Sequence, residues 1–131
     1  MSKSAKQVVD EAYAALFKQN DLDGFLRDFD DESELVEAKS LPYGGVFRGH
    51  ATIKAAILNV FGYWSQFRYD IESIVYGDEY VIAYGYFRAT AARTGRTIDL
   101  PLTEVWRIRN GKVRLCSPIY SDTHAALQAL G

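Results

Sequence analysis

The stretch EYVIAYGYFRATAARTGRTIDLPLTEVWRIRNGKVRLCSPIY, residues 79–120, decides the fold. Apolar and polar side chains alternate through 79–92, 97–109 and 112–120, the period of two expected of strands with one buried face. The interruptions RTGR (93–96) and NG (110–111) carry hairpin residues. Upstream, FRYDIESIVY (67–76) has the same pattern and is joined to it by GD (77–78). Four long strands linked by tight turns form an antiparallel meander.

Outward from this block the period becomes helical. Val9, Ala12, Tyr13 and Leu16 recur at helix spacing, as do Leu22, Phe25, Leu26 and Phe29, with Asn20 and Asp21 between them as caps. SELVEA (33–38) reads as a short strand and LPYGG (41–45) as a turn. A third helix then presents Ile53, Ile57, Val60 and Trp64. SDTHAALQAL (121–130) reads as a final short helix capped by Ser121 or Asp122.

Helices followed by an antiparallel sheet give an α+β fold. The expectation is a cone-shaped, strongly curved sheet with the three helices of the N-terminal half on its concave face and a short helix at the C-terminus. The mouth of such a cone is a natural ligand pocket. Without a linker or repeat, residues 1–131 read as one domain.

Bulk composition narrows the function. A formal charge of -2 with scattered Lys and Arg offers no basic stripe, so nucleic acid is not an expected partner. The single cysteine, Cys116, excludes an internal disulfide and a multi-cysteine zinc site. The opening residues lack the apolar run of a signal peptide, and no stretch approaches the ~20 apolar residues of a membrane span. The expected setting is the cytoplasm, with no membrane partner. Nine Tyr, seven Phe and two Trp need a core or pocket to fill.

Two carboxylates stand out. Leu100, Leu102, Glu104, Trp106 and Ile108 share one strand face, so Glu104 interrupts an apolar row. A carboxyl placed there needs a raised pKa or a partner, unless it lies at the wet end of the strand. Glu37 shares a face with Leu35 on the short strand, and alternation alone does not say which face is inside.

The order of elements, with Tyr13 on the first helix, Glu37 on the first strand and Glu104 on a late strand, resembles the nuclear transport factor 2-like superfamily, in particular its ketosteroid-isomerase and polyketide-cyclase (SnoaL-like) branch. AYAALFKQNDLDGFL (12–26), GVFRGHATIKAAI (45–57) and LTEVWRIRNGKVRL (102–115) carry the resemblance, which spans essentially the whole chain. It implies a proton-transfer site with Glu37 as base, Tyr13 as donor to a developing enolate oxygen and a protonated Glu104 assisting. Both acids are Glu where the isomerases have Asp, a difference of one methylene, and the LPYGG loop differs from the isomerase's own. A steroid substrate is therefore not implied.

Further ligand-binding residues expected around a small hydrophobic molecule are Phe17, Tyr43, Phe47, Trp64, Tyr84, Trp106, Cys116 and Tyr120. Asp122 and His124 are placed at the pocket mouth as a candidate acid–base pair. No metal or cofactor is expected, since His50, His124 and the scattered acids lack ligand spacing. Two other readings stay open: a non-catalytic binding or accessory module, and an epoxide-hydrolase-like enzyme, for which Arg107 lies on the strand face opposite Glu104. The strand at 79–91 is apolar on both faces, as a homodimer would require.

Overall fold

The computed structural model describes residues 2–131. Ser4 begins the first helix, α1 (Ala5–Tyr13), with a capping box: its hydroxyl accepts from the Gln7 N–H while the Gln7 side chain accepts from the Ser4 N–H. The helix continues into a wider π-helical turn, Ala14–Lys18. Asn20 takes a left-handed conformation at φ 51°, which ends that turn. Asp21 then caps α2 (Leu22–Phe25), accepting from the Gly24 N–H. The second helix is thus a single turn, and Phe29 is buried beyond it rather than on it.

β1 (Glu34–Glu37) and β2 (Gly45–Arg48) make a small antiparallel hairpin, with Glu37 opposite Gly45. β2 has no counterpart in the elements expected from the sequence, because GVFR is too short to show alternation. Between the two strands the LPYGG turn folds inward and buries Leu41 and Tyr43. Gly44 is required there: a Cβ would lie 2.0 Å from the Ala38 carbonyl oxygen.

α3 (His50–Tyr63) leads directly into β3 (Trp64–Tyr76). Trp64 is therefore the first strand residue rather than part of the helix face, and its backbone is already extended. β4 (Tyr80–Ala91), β5 (Thr97–Arg109) and β6 (Lys112–Tyr120) complete the meander at the expected places. The β5–β6 hairpin turns through Asn110 and Gly111, both at positive φ, the two-residue geometry preferred between twisted strands. α4 (Thr123–Leu130) is capped by Asp122.

The six strands are ordered β2-β1-β6-β5-β4-β3 in one unclosed, curved sheet. All neighbours are antiparallel except β1 and β6, which run parallel through Glu34–Leu115 and Leu35–Cys116. Register shifts leave Ser65 and Glu72 of β3 unpaired, and a third, opposite Arg107/Ile108, leaves Arg114 of β6 unpaired; such bulges bend the strands. α1 packs against β4 and β5, and α3 against β3. Val8, Val9, Leu26, Ile53, Trp64, Val81, Trp106 and Val113 are the fully buried centre of the core. The opposite face of the sheet leaves Val75, Tyr80, Ile82, Tyr84 and Ile119 exposed. Among the described residues no helix is long and apolar enough to cross a membrane.

Candidate active site

The helices do not fill the concavity of the sheet. A cavity of about 100 Å³ remains between the end of α1, α3 and the inner strand faces. Its lining is mostly apolar, and the π-helical turn brings the adjacent Leu16 and Phe17 to its wall, a frequent use of such turns. Leu16, Phe17, Phe61, Phe67 and Tyr69 also border a groove of about 740 Å³ on the surface, which marks the side on which the cavity opens. Phe61 and Phe67 pack at a tilt there, with ring centroids 4.8 Å apart.

Glu37 from β1 and Glu104 from β5 both face this cavity. Glu37 is 6% exposed, and its Oε1 is buried with no hydrogen-bond partner. Burial pushes its carboxyl up to about 8, the Glu104 charge adding to the effect. Glu104 is better provided for. Its Oε1 accepts a 2.6 Å hydrogen bond from the Tyr13 hydroxyl, which in turn accepts from Trp106 Nε1 at 2.8 Å. Burial raises Glu104 to about 7, with the Tyr13 hydrogen bond pulling the other way. The two environments separate the acids: the first negative charge goes to Glu104, which has a donor, and Glu37, which has none, holds its proton longer.

A second chain of polar groups reaches the same wall. Trp64 Nε1 donates to the Tyr43 hydroxyl at 3.2 Å, and the Tyr43 and Tyr120 hydroxyls lie 2.7 Å apart. Tyr120 lines the cavity and Tyr43 lies behind it.

Of the residues expected from the sequence, Glu37, Glu104, Phe17, Trp64 and Tyr120 line the cavity. Tyr13 and Tyr43 stand immediately behind, joined to the lining by hydrogen bonds to Glu104 and Tyr120, and Trp106 stands behind Tyr13, to which it donates. Cys116 is buried beneath, paired in the sheet with Trp106 and Leu35, and burial pushes its thiol up, away from reactivity. Phe47 is half-buried against the core without reaching the cavity.

Three expected residues are elsewhere. Tyr84 is exposed on the outer face, because the inward parity of β4 belongs to Val81, Ala83, Gly85 and Phe87. Asp122 is occupied as the α4 cap, accepting from the Ala125 N–H, and His124 is exposed on that helix. They form no acid–base pair. Arg88 does join Asp70 and Asp99 in an Asp–Arg–Asp cluster, with contacts of 2.6 and 3.2 Å. It lies on the outward parity of β4, away from the cavity, so it gives no support to epoxide hydrolysis. Among the described residues no group of His, Cys, Asp and Glu is placed to hold a metal ion.

The sequence reading passed over Phe61, Phe67 and Tyr69. Phe67 and Tyr69 were legible from the parity of β3, which sets them on one face. Tyr69 is a fixed wall: its hydroxyl lies against the carbonyls of Leu102 and Ala83, at 2.8 and 3.1 Å.

Helices laid into an open, curved sheet around an apolar cavity define a nuclear transport factor 2-like protein. Residues 9–115 match the SnoaL-like domain, and the chain belongs to that family. An NTF2-like protein from Burkholderia thailandensis has a similar structure, with a TM-score of 0.90 and 24% identity over 98% of each chain. An NTF2-like protein of unknown function from Burkholderia pseudomallei is 28% identical over 95% of each chain, with a TM-score of 0.85. TerC, co-crystallised with polyporic acid, is 25% identical over 95% of this chain and 96% of its own, with a TM-score of 0.84. No curated protein matches the sequence.

Proposed function

We propose that this protein catalyses proton transfer next to the carbonyl of a small, mostly apolar cyclic ketone or enone, in the manner of an isomerase or cyclase. The observation that carries this reading is the pair of carboxyls on one apolar cavity wall, one holding a hydrogen-bond donor and the other an unpartnered buried oxygen. Near neutral pH such a pair shares one proton. Glu104, the more readily ionised, is the base: its carboxylate takes the proton from the α-carbon. The C–H electron pair becomes the C=C bond of an enol, and the carbonyl π pair moves to oxygen, which takes the proton held by Glu37. Returning a proton to a different carbon completes an isomerisation. This assignment exchanges the roles that the resemblance implied for the two acids, and makes Tyr13 the residue that orients the base. A cavity of about 100 Å³ suits roughly one small ring, with substituents extending through the mouth.

The test is exchange of the α-protons of cyclohexanone for solvent deuterium, followed by NMR in deuterated water. Glu104→Gln should slow the enzyme-dependent exchange by about 10²-fold or more, and Glu37→Gln by a comparable factor. Undiminished exchange in both variants rejects the proposal. A binding module without chemistry is the second reading, supported by the predominantly apolar, aromatic lining and by the co-crystallisation of TerC with polyporic acid. It predicts saturable binding of the ketone with no exchange above the solvent rate.

We also propose that the outer sheet face pairs with a second copy of the chain. Val75 stands opposite Ile82 and Ile82 opposite Val105, with Tyr80 and Tyr84 on the same face, so an apolar patch crosses three strands, and Ile119 is exposed on the fourth.

A further inference from the structure

Apart from the two carboxyls, the hydroxyls on the cavity wall belong to Tyr69 and Tyr120. The Tyr69 hydroxyl is committed to the backbone carbonyls of Leu102 and Ala83. Tyr120 differs because of what stands behind it. Tyr43, 2% exposed, accepts from Trp64 Nε1, and one proton must then lie between the Tyr43 and Tyr120 oxygens. If Tyr120 supplied that proton, Tyr43 would accept twice and its own proton would be left buried without an acceptor, an arrangement that costs about 1–3 kcal/mol. If Tyr43 supplies it, the Trp64 N–H and the Tyr43 hydroxyl are both satisfied, and the remaining proton, that of Tyr120, is on the cavity side.

We propose that Tyr120 is a hydrogen-bond donor to a ligand oxygen, oriented by Trp64 and Tyr43 as positioning residues, and that the pocket selects ligands carrying a carbonyl or similar acceptor opposite β6. Each link in Trp64–Tyr43–Tyr120 donates in the same direction, so the terminal hydroxyl is both fixed and polarised toward the cavity. The chain parallels Trp106–Tyr13–Glu104 on the neighbouring strand: an indole N–H donates to a tyrosine, and the tyrosine donates to a wall residue. The LPYGG turn thereby acquires a purpose, since it carries Tyr43. Phe87, edge-on to the Tyr120 ring at 5.9 Å, limits that ring's movement.

This inference rests on the reading of the cavity as a site for a small ketone, but not on any turnover there. It is tested with two probes of one shape, cyclohexanone and methylenecyclohexane, which differ in the presence of an oxygen acceptor. Binding is followed by the intrinsic fluorescence of the two tryptophans, of which Trp64 lies in the cavity wall. Tyr120→Phe should weaken cyclohexanone by roughly 3- to 10-fold, leaving methylenecyclohexane within about twofold of its wild-type affinity. Tyr43→Phe retains the Tyr120 hydroxyl but removes its orientation. The carbonyl carbon resonance of bound, isotopically labelled cyclohexanone should then move back toward its free value, although the ketone still binds. Equal losses for both probes in Tyr120→Phe, or a carbonyl resonance unchanged in Tyr43→Phe, overturn the proposal. Failure of wild-type protein to prefer the ketone overturns it as well. A ketone preference that depends on Tyr120, found together with no α-proton exchange, sustains it while rejecting the proton-transfer reading.

Discussion

The Tyr13 hydroxyl donates to Glu104 Oε1 across 2.6 Å and accepts from Trp106 Nε1 across 2.8 Å. Its single proton is thereby used inside the protein, so Tyr13 acts on any ligand through Glu104 rather than directly. Burial and the adjacent carboxyl raise the Tyr13 hydroxyl well above its ordinary value, and it stays protonated throughout the working range.

Replacing Tyr13 with Phe removes this link from both ends. Trp106, fully buried, loses its acceptor, and Glu104 loses the donor that favours its charged form. Stability should fall by about 1–3 kcal/mol, measured by chemical denaturation. The Glu104 titration should move upward, seen as a shift of the exchange–pH profile to higher pH. A lower stability with an unmoved profile would leave Tyr13 a purely structural residue.

Glu37 dictates how stability responds to pH. Its folded-state pKa, about 8, lies above the ordinary carboxyl value of 4.5. The folded protein therefore holds this proton more tightly than the unfolded chain does, and the advantage is complete below about 4.5 and lost as pH rises through about 8. Stability should decline across that window by a few kcal/mol, with Glu104 contributing in the same direction. Glu37→Gln keeps the shape without the titration, so at pH 9 it should be more stable than wild type, and its thermal melts should vary less between about pH 5 and 9.

Gly85 should tolerate no side chain. A Cβ there would lie 2.3 Å from the Asp70 carbonyl oxygen, beside the irregular register between Ile71 and Ser73. Gly85→Ala must push β3 and β4 apart at the bend of the sheet. We expect a loss of about 2 kcal/mol or more in urea unfolding, large for the addition of one methyl group.

A charge on the outer face separates dimerisation from folding. Ile82→Lys places an ammonium at an exposed strand position next to Val75 and Val105. Size-exclusion chromatography with light scattering should give a dimer for wild type and a monomer for the variant, with little change in the circular dichroism spectrum. A monomeric wild type would overturn the pairing.

The meander was legible because its strands are long, alternate strictly and are separated by RTGR and NG turns, and the bounds of β5 and β6 coincide with the reading. Helix caps at Asp21 and Asp122 were legible for the same local reason. β2 and the parallel β1–β6 pairing were not, since both depend on which distant segment lies alongside. In the site, the parity of β5 identified Glu104, and the resemblance to known proteins brought in Glu37. Tyr84 was misplaced because β4 is apolar on both faces and hydropathy does not distinguish them. The hydrogen-bonded partners of Tyr13 and Tyr43, far apart in the sequence, appear only when the chain is folded.

The strand carrying Glu37 is held to the meander by two register pairs with a segment about eighty residues downstream. Closing a loop of that length before any contact rewards it is entropically unfavourable, whereas the β3–β6 hairpins form between neighbours. We expect the sheet to form first and β1 to dock late, so that the acid–acid pair is among the last features of the native state to form. Until β6 has been synthesised, β1 has no strand of the meander to pair with, and Glu37 has no fixed place beside Glu104.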